Sequence, residues 1–307
     1  MIFKRKLICL AVGLSLTSLI TGKSFAADEI YIPLVSKGFQ HQFWQAVKQG
    51  ADQAGKDLKV KVTFEGPETE AMVDKQIDML SSSLAKKPSA IGFAALDSQA
   101  AIPLLKKAQA AKIPVVAFDS GVDSDIPVTT ATTDNKAAAA LIGKAGDVAL
   151  VVHDQTSRTG VDRRDGFVDR IKSTYPNIKI VSVQYGGGDQ LKSTEITKSI
   201  LQANPNIKGI FGANEGSAIG VLNGAKEMKR SIVIIGYDSG KQQKEAVRSG
   251  AMAGAITQNP VGIGYKTVEA AVKALKGEKL PKIIDTGFYF YDKSNIDDPK
   301  IAAVLYD

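Results

Sequence analysis

The stretch IYIPLVSKGFQHQFWQAVKQGADQAGK, residues 30–56, indicates how the rest of the chain is built. It starts with a short apolar run, Ile30–Val35, and continues through a polar segment into a helical pattern. Further along the chain, short runs rich in β-branched residues alternate with longer helical patterns. The predicted strands are Ile30–Val35, Val60–Phe64, Ala90–Ala94, Val115–Phe118, Asp147–Val152, Ile178–Val183, Gly209–Gly212, Ile232–Gly236 and Ala253–Thr257.

This alternation predicts an α/β fold with parallel sheets that carry helices on both faces. Nine strands with their helices are many for one sheet, and no Pro/Ser-rich linker divides the chain. Two α/β lobes that share a cleft therefore fit the pattern better than one large sheet, and a ligand between them would be held by both.

The N-terminus has the features of a secretory signal peptide. A basic start, Lys4–Lys6, precedes the apolar stretch Leu7–Ile20 and the small-residue site Ser24–Ala26. We therefore expect residues 1–26 to be removed and the mature protein to be exported to the periplasm. The single cysteine, Cys9, lies in the signal peptide, so the mature chain has no thiol for a disulfide, a metal site or a nucleophile.

The charge of the mature chain does not indicate a polyanion partner. The full sequence has a formal charge of +7, but four basic residues leave with the signal peptide, so 35 basic and 32 acidic residues remain. No basic run alternates with aromatic residues. We therefore expect no binding of nucleic acid.

Neither a metal site nor a cofactor site is expected. The two histidines, His41 and His153, have no further metal ligands at suitable spacing. The glycine-rich segment Tyr185–Thr194 lacks the Gly-Lys-Ser/Thr ending of a phosphate-binding loop, so a tight loop capped by Asp189 is the better interpretation.

The sequence offers little for catalysis. It contains no G-x-S-x-G motif, and the mature part has no cysteine. An exported glycosidase would need two carboxylates across one cleft, and Asp119 and Asp238 could imitate such a pair. We expect a protein that is not an enzyme, with a glycosidase as an alternative.

Polar and aromatic side chains follow most of the predicted strands. Parallel sheets bind ligands beyond the carboxyl ends of their strands, so these side chains should lie close together. Their chemistry predicts a pocket for a small polar ligand with flat apolar faces. Examples are Trp44 after the first strand, Asp119 after the fourth, Asn214 after the seventh and Asp238 after the eighth.

Seven spaced motifs make the prediction more specific. In chain order they are FWQAVKQGA, IPVVAFDS, TTDN, RRDGF, GANEGSAIG, VIIGYDSG and GAITQNP. Together they resemble the ribose/galactose-type periplasmic sugar-binding proteins, the solute receptors of sugar ABC transporters, which have the periplasmic binding protein type 1 fold. The resemblance covers nearly the whole mature chain.

The resemblance implies two Rossmann-like lobes with a ligand cleft between them, joined by a hinge that the chain crosses three times. The N-terminal lobe would comprise residues 28–133 plus 259–286. The C-terminal lobe would comprise residues 134–258 plus 287–307. The lobes would close over one monosaccharide, and the closed form would be presented to the membrane permease of an ABC transporter, with the receptor acting as a monomer.

The resemblance also implies which side chains contact the sugar. Phe43 and Trp44 would face the sugar ring from one lobe and Tyr237 from the other, because a ring face of C–H bonds stacks well on an aromatic plane. Carboxylates, amides and guanidinium groups suit sugar hydroxyls as acceptors and donors. The residues implied to bind hydroxyls are Asp119, Asn135, Arg163, Asn214, Asp238 and Gln258, and Lys37 is a further candidate.

Several positions depart from the ribose-binding pattern. Ala94 and Ser120 stand where that subgroup has two polar sugar contacts, and Gly188 stands where it has a phenylalanine. Extra polar groups are present in Lys37 and in the run Gln40–Gln42. These departures count against ribose itself as the ligand, and a furanosyl signal resembling autoinducer-2 is an alternative to a monosaccharide.

The connection between Asn135 and the next predicted strand is short. Only eleven residues, Lys136–Gly146, separate them, close to the roughly 10–12 residues that a whole crossover needs. This predicts a second lobe that lacks part of one covering helix and is less stable than in relatives with a longer helix.

Overall fold

The computed structural model describes residues 29–136 and 146–307. The predicted signal peptide, its cleavage site near Ala26 and all but the two ends of the short crossover lie outside these residues. Within the described part of the chain, no helix is long and apolar enough to cross a membrane.

The first of two sheets has the strand order β11-β5-β4-β3-β1-β2, and all its neighbouring strands are parallel. Helices α1, α2, α3 and α8 cover it. The strands are β1 (Tyr31–Val35), β2 (Lys61–Glu65), β3 (Ile91–Phe93), β4 (Val115–Phe118), β5 (Thr129–Thr132) and β11 (Ile283–Asp285), and the helices are α1 (Gln42–Leu58), α2 (Val73–Ala85), α3 (Ile102–Ala110) and α8 (Pro260–Leu275).

The second sheet has the order β12-β10-β9-β8-β6-β7 and is parallel except for β12, which runs antiparallel to β10. Helices α4 to α7 and the short α9 belong to it. The strands are β6 (Gly146–Val152), β7 (Ile178–Tyr185), β8 (Gly209–Gly212), β9 (Val233–Tyr237), β10 (Gly254–Gln258) and β12 (Phe288–Tyr291), and the helices are α4 (Arg158–Thr174), α5 (Gln190–Ala203), α6 (Glu215–Glu227), α7 (Lys241–Ser249) and α9 (Pro299–Ala302).

The predicted two-lobe α/β fold is confirmed, and all nine predicted strands are present to within two residues at each end. The chain passes from the first sheet to the second after β5, returns after β10 and crosses again after β11. Sequence analysis missed β5, β11 and β12. The first two are short, and their sequences TTAT and IID lack a continuous apolar run.

Each sheet carries a buried apolar cluster on both faces. Successive residues of β1 show why: the side chain of Leu34 packs with α1 and α8 on one face, and that of Val35 packs with α2 and α3 on the other. Side chains of a strand alternate between faces, so a parallel strand covered on both faces is apolar throughout.

Helices α1 and α8 approach each other closely through two glycines. A Cβ atom on Gly264 would lie 1.9 Å from the backbone oxygen of Val47, and one on Gly50 would lie 1.9 Å from the backbone oxygen of Val261. Only glycine, which lacks a Cβ, permits this backbone contact. The contact holds the middle of α1 against α8, and the first turn of α1 carries two of the predicted sugar-facing aromatics.

Candidate functional site

A cavity lies between the lobes, where the carboxyl ends of the two sets of strands face each other. The lining residues are Lys37, His41, Phe43, Trp44, Glu70, Asp119, His153, Arg163, Asn214, Asp238 and Gln258.

Eight of the ten predicted site residues line this cavity, and Asn135 and Tyr237 do not. Tyr237 was expected to face the ligand, but its side chain is fully buried in the core of the second lobe, behind Arg163. The guanidinium carbon of Arg163 lies 3.7 Å from the centre of the Tyr237 ring. The hydroxyl of Tyr237 donates to Oδ1 of Asn135 at 3.0 Å.

Arg163 is held firmly in this wall. Its Nε donates to Oδ1 of Asn135 at 2.8 Å, and its Nη1 donates to the backbone oxygen of Ala213 at 2.9 Å. Among the described residues these bonds use two of the five guanidinium N–H groups. Its neighbour Arg164 pairs instead with Asp165, with 2.7 Å between Nε and Oδ1, and does not line the cavity.

The apolar part of the wall comes from the start of α1. The rings of Phe43 and Trp44 pack edge to face, with 4.9 Å between their centres, and both side chains are buried. The indole Nε1 of Trp44 donates to Oε1 of Glu70 at 2.8 Å. The two rings therefore form an aromatic wall of the cavity, and the hydrogen bond to Glu70 holds the indole of Trp44 in place.

Sequence analysis did not identify Glu70 as a site residue. Glu70 lies in the loop between β2 and α2, so it follows a strand in the same way as the predicted residues. The polar segment after the second predicted strand could have identified it. Sequence analysis considered both histidines as metal ligands and noted His41 as an extra polar group, and both line the cavity. Within residues 29–136 and 146–307, no group of three or more His, Cys, Asp or Glu side chains could hold a metal ion.

Two aspartates occupy equivalent places in the lobes. Asp119 follows β4 and Asp238 follows β9, and both have left-handed backbone conformations, with φ of 55° and 79°. Such a conformation costs about 1–3 kcal/mol for a residue other than glycine, and strained residues of this kind cluster at functional sites. Oδ1 of Asp238 accepts from Nε2 of Gln258 at 2.7 Å, and Oδ2 of Asp119 lies 3.9 Å from Nζ of Lys37.

Burial changes the ionisation of these groups. Burial raises the pKa of Asp119 to about 6, although Lys37 and Arg163 act in the opposite direction. Burial also lowers the pKa of His153 to about 3, so this ring is neutral at physiological pH. For Glu70, burial would raise the pKa, but the charge of Lys37 and the hydrogen bond from the Trp44 N–H group hold it below its ordinary value.

Replacing Asp119 with asparagine is expected to stabilise the ligand-free protein at neutral pH. The folded-state pKa of about 6 lies above the ordinary 3.8, so the folded chain binds this proton more tightly than the unfolded chain. The stability that results is present below about pH 4 and is lost as the pH rises through 6. Two pKa units correspond to about 3 kcal/mol, and asparagine also tolerates the left-handed backbone.

The measurement is chemical denaturation of the wild type and Asp119→Asn at several pH values between 4 and 7.5. The variant should gain stability relative to the wild type as the pH rises. Asp125→Asn, at a fully exposed carboxylate, serves as the control and should show no such gain. Equal stability of Asp119→Asn and the wild type at pH 7.5 would contradict the prediction.

Two helices in opposite lobes donate hydrogen bonds from the N–H groups of their first turns to acceptors across the cleft. The backbone N–H groups of Gln42 and Phe43, at the start of α1, donate to the two carboxylate oxygens of Glu215 in α6, each at 3.3 Å. In return, the backbone N–H of Lys241, at the start of α7, donates to Oε1 of Gln42 at 2.8 Å. These reciprocal caps join the lobes, so the structure is the closed form.

Comparison with known proteins finds similarity to periplasmic solute-binding proteins. Residues 32–279 match the family model described as periplasmic binding protein domain. A carbohydrate-transporter solute-binding protein from Agrobacterium radiobacter, solved in complex with D-arabinose, is 34% identical, with a TM-score of 0.86 over 91% of this chain and 99% of that chain. An ABC-transporter solute-binding protein from Agrobacterium vitis with bound D-fucose is also 34% identical, with a TM-score of 0.86 over 90% of this chain and 100% of that chain.

Among curated proteins, the D-allose-binding periplasmic protein of Escherichia coli strain K12 is 28% identical over 287 residues. The alignment covers 88% of this chain and 90% of that protein. The similarity therefore extends over both lobes.

Proposed function

The chain belongs to the periplasmic binding protein domain family, and from this premise we propose that it is the monosaccharide receptor of a sugar ABC importer. The observation that carries the proposal is the cavity between the lobes, which both lobes line with hydroxyl-binding groups around an aromatic wall. The sugar-binding relatives favour this function over a receptor for a furanosyl signal and over a glycosidase. They are binding proteins, which supports a function without catalysis.

The mechanism is a hinge equilibrium. Lys37 and Asp119 approach the ligand from the first lobe, and Arg163 and Asp238 approach it from the second. A sugar can contact all of these groups only when the lobes are closed, so binding shifts the population to the closed form. The permease then receives a form of the receptor that the sugar has stabilised.

Within the cavity, Phe43 and Trp44 take a face of the sugar ring, and Asn214 and Gln258 complete the set of hydroxyl partners. Asn135 and Tyr237 serve as positioning residues, because they hold the guanidinium group of Arg163. Removing either should alter binding through the orientation of that arginine.

Further parts of the proposal concern the setting of the receptor. The family supports export to the periplasm, with cleavage near Ala26, and action as a monomer without nucleic acid. The three crossings between the sheets support lobe boundaries at residues 28–133 plus 259–286 and residues 134–258 plus 287–307. The short crossover supports a second lobe of lower stability.

A thermal-shift screen of the mature protein, beginning at Ala27, tests the function. The panel contains D-arabinose, D-fucose, D-allose, D-ribose and autoinducer-2. A separate assay with a chromogenic glycoside detects hydrolysis. A sugar at one hundred times its Kd should add about 2.7 kcal/mol to the folded state and raise the melting temperature clearly. A cooperative melt that no sugar shifts, or release of the chromophore, would overturn the proposal.

A further inference from the structure

Gly188, which has a left-handed φ of 69°, lies beside the cavity-lining residues Glu70 and Asn214. A Cβ atom at this position would lie 2.9 Å from Oε2 of Glu70, 3.2 Å from Nδ2 of Asn214 and 3.4 Å from Nε2 of Gln40. Three polar groups from two lobes therefore converge on the space that the glycine leaves open. Sequence comparison with the ribose-binding pattern predicted only the loss of a ring at this position.

The carboxylate of Glu70 is buried but has few partners. It is 7% exposed, its Oε1 accepts from Trp44, and its Oε2 has a long contact of 3.4 Å with Nδ2 of Asn214. An ionised carboxylate offers about four acceptor sites, and burying one with few hydrogen bonds is costly. Oε2 thus has acceptor capacity to spare, at the cavity wall.

His41 supplies the complementary donor. Its Nε2 lies 2.9 Å from Nε2 of Gln40, an amide nitrogen that also donates to the backbone oxygen of Gly188 at 3.2 Å. Since an amide nitrogen can only donate, Nε2 of His41 accepts, and in the neutral ring the proton is on Nδ1. Nδ1 is buried and has no hydrogen-bond partner among the described residues, although the ring lines the cavity.

We propose that Glu70 and His41 form a subsite for one hydroxyl group of the bound sugar, which donates to Glu70 and accepts from His41. This inference rests on the proposed function. A hydroxyl can donate and accept at once, whereas a hydrogen atom in a deoxy sugar can do neither. The subsite therefore selects sugars that carry a hydroxyl at one ring position.

The test is a set of dissociation constants measured by calorimetry with D-arabinose and its monodeoxy derivatives. If D-arabinose gives no thermal shift in the screen, whichever of D-fucose and D-allose shifts the melt replaces it. Glu70→Gln keeps an oxygen for Trp44 but replaces the free acceptor with a donor, and His41→Phe removes the N–H group. Each variant should bind the parent sugar about 10–100-fold more weakly than the wild type.

The dissociation constants of the deoxy derivatives decide whether Glu70 and His41 contact one hydroxyl group of the sugar. In the wild type, one deoxy derivative should bind at least tenfold more weakly than the parent sugar. In each variant, the dissociation constants of that derivative and of the parent sugar should differ by less than threefold. Equal losses for every sugar in the series would overturn the inference. If the wild type bound no sugar at all, the proposed function itself would fail, so the two failures are distinguishable.

Glu215→Gln is the matched control. Glu215 is also a buried carboxylate between the lobes, but it does not line the cavity. Its replacement should weaken all sugars of the series by the same factor. Thermal melts of each variant without sugar verify that the protein is folded, and a Glu70→Gln profile identical to that of Glu215→Gln would contradict a direct contact.

Discussion

Replacing Arg163 with lysine is expected to weaken sugar binding at least 100-fold, a loss of about 2.7 kcal/mol. The planar guanidinium stacks on Tyr237, bonds to Asn135 and Ala213, and still has N–H groups for a ligand. A lysine ammonium can neither stack as a plane nor donate in a fork, so it would lose both its support and its bidentate contacts with hydroxyls.

Calorimetric titration of the variant with the sugar found in the screen measures this effect. Arg164→Lys is the control, because Arg164 lies next to Arg163 in α4 but pairs with Asp165 outside the cavity. Its dissociation constant should stay within threefold of the wild type. A folded Arg163→Lys protein that bound within fivefold of the wild type would show that the arginine does not contact the sugar.

Replacing Gly264 with alanine is expected to lower the free energy of unfolding by more than about 3 kcal/mol. The added methyl group would lie 1.9 Å from the backbone oxygen of Val47, and neither backbone can yield without separating α1 from α8. Overpacking of a core usually costs about 1–3 kcal/mol, and a clash with rigid backbone belongs at the top of that range or beyond it.

Chemical denaturation of Gly264→Ala and of a control, Gly121→Ala, measures this cost. A Cβ at Gly121 would meet only the Thr130 side chain, at 3.8 Å, which is ordinary contact. The control should therefore remain within about 1 kcal/mol of the wild type. A Gly264→Ala protein as stable as the control would mean that the two helices can move apart at little cost.

The architecture could be predicted from the sequence because its signal is local. Buried parallel strands such as Val115–Phe118 are continuous apolar runs, and each is followed by a helical pattern. Strands β5 and β11 escaped prediction because they are short and lack a continuous apolar run, and β11 also pairs with β5 across more than 150 residues. No local pattern records such a pairing.

The site could be predicted in part for a related reason. Residues directly after strands, such as Asp119 and Asp238, were found by their position at strand ends. Tyr237 comes one residue before Asp238, and that difference places its side chain in the core instead of the cleft, because neighbouring side chains take different directions. The acceptor role of Glu70 and the protonated nitrogen of His41 depend on contacts between loops, which the order of residues does not reveal.

The reciprocal caps between α1, α6 and α7 also affect the receptor when no sugar is bound. Each cap of this kind is worth about 1 kcal/mol, and those bonds form on closure whether or not a sugar is present. These bonds therefore favour the closed form of an empty receptor as well. A closed empty receptor resembles a loaded one in shape and would compete with it for the transporter. Stronger caps would therefore lower the fraction of transporter encounters that deliver a sugar.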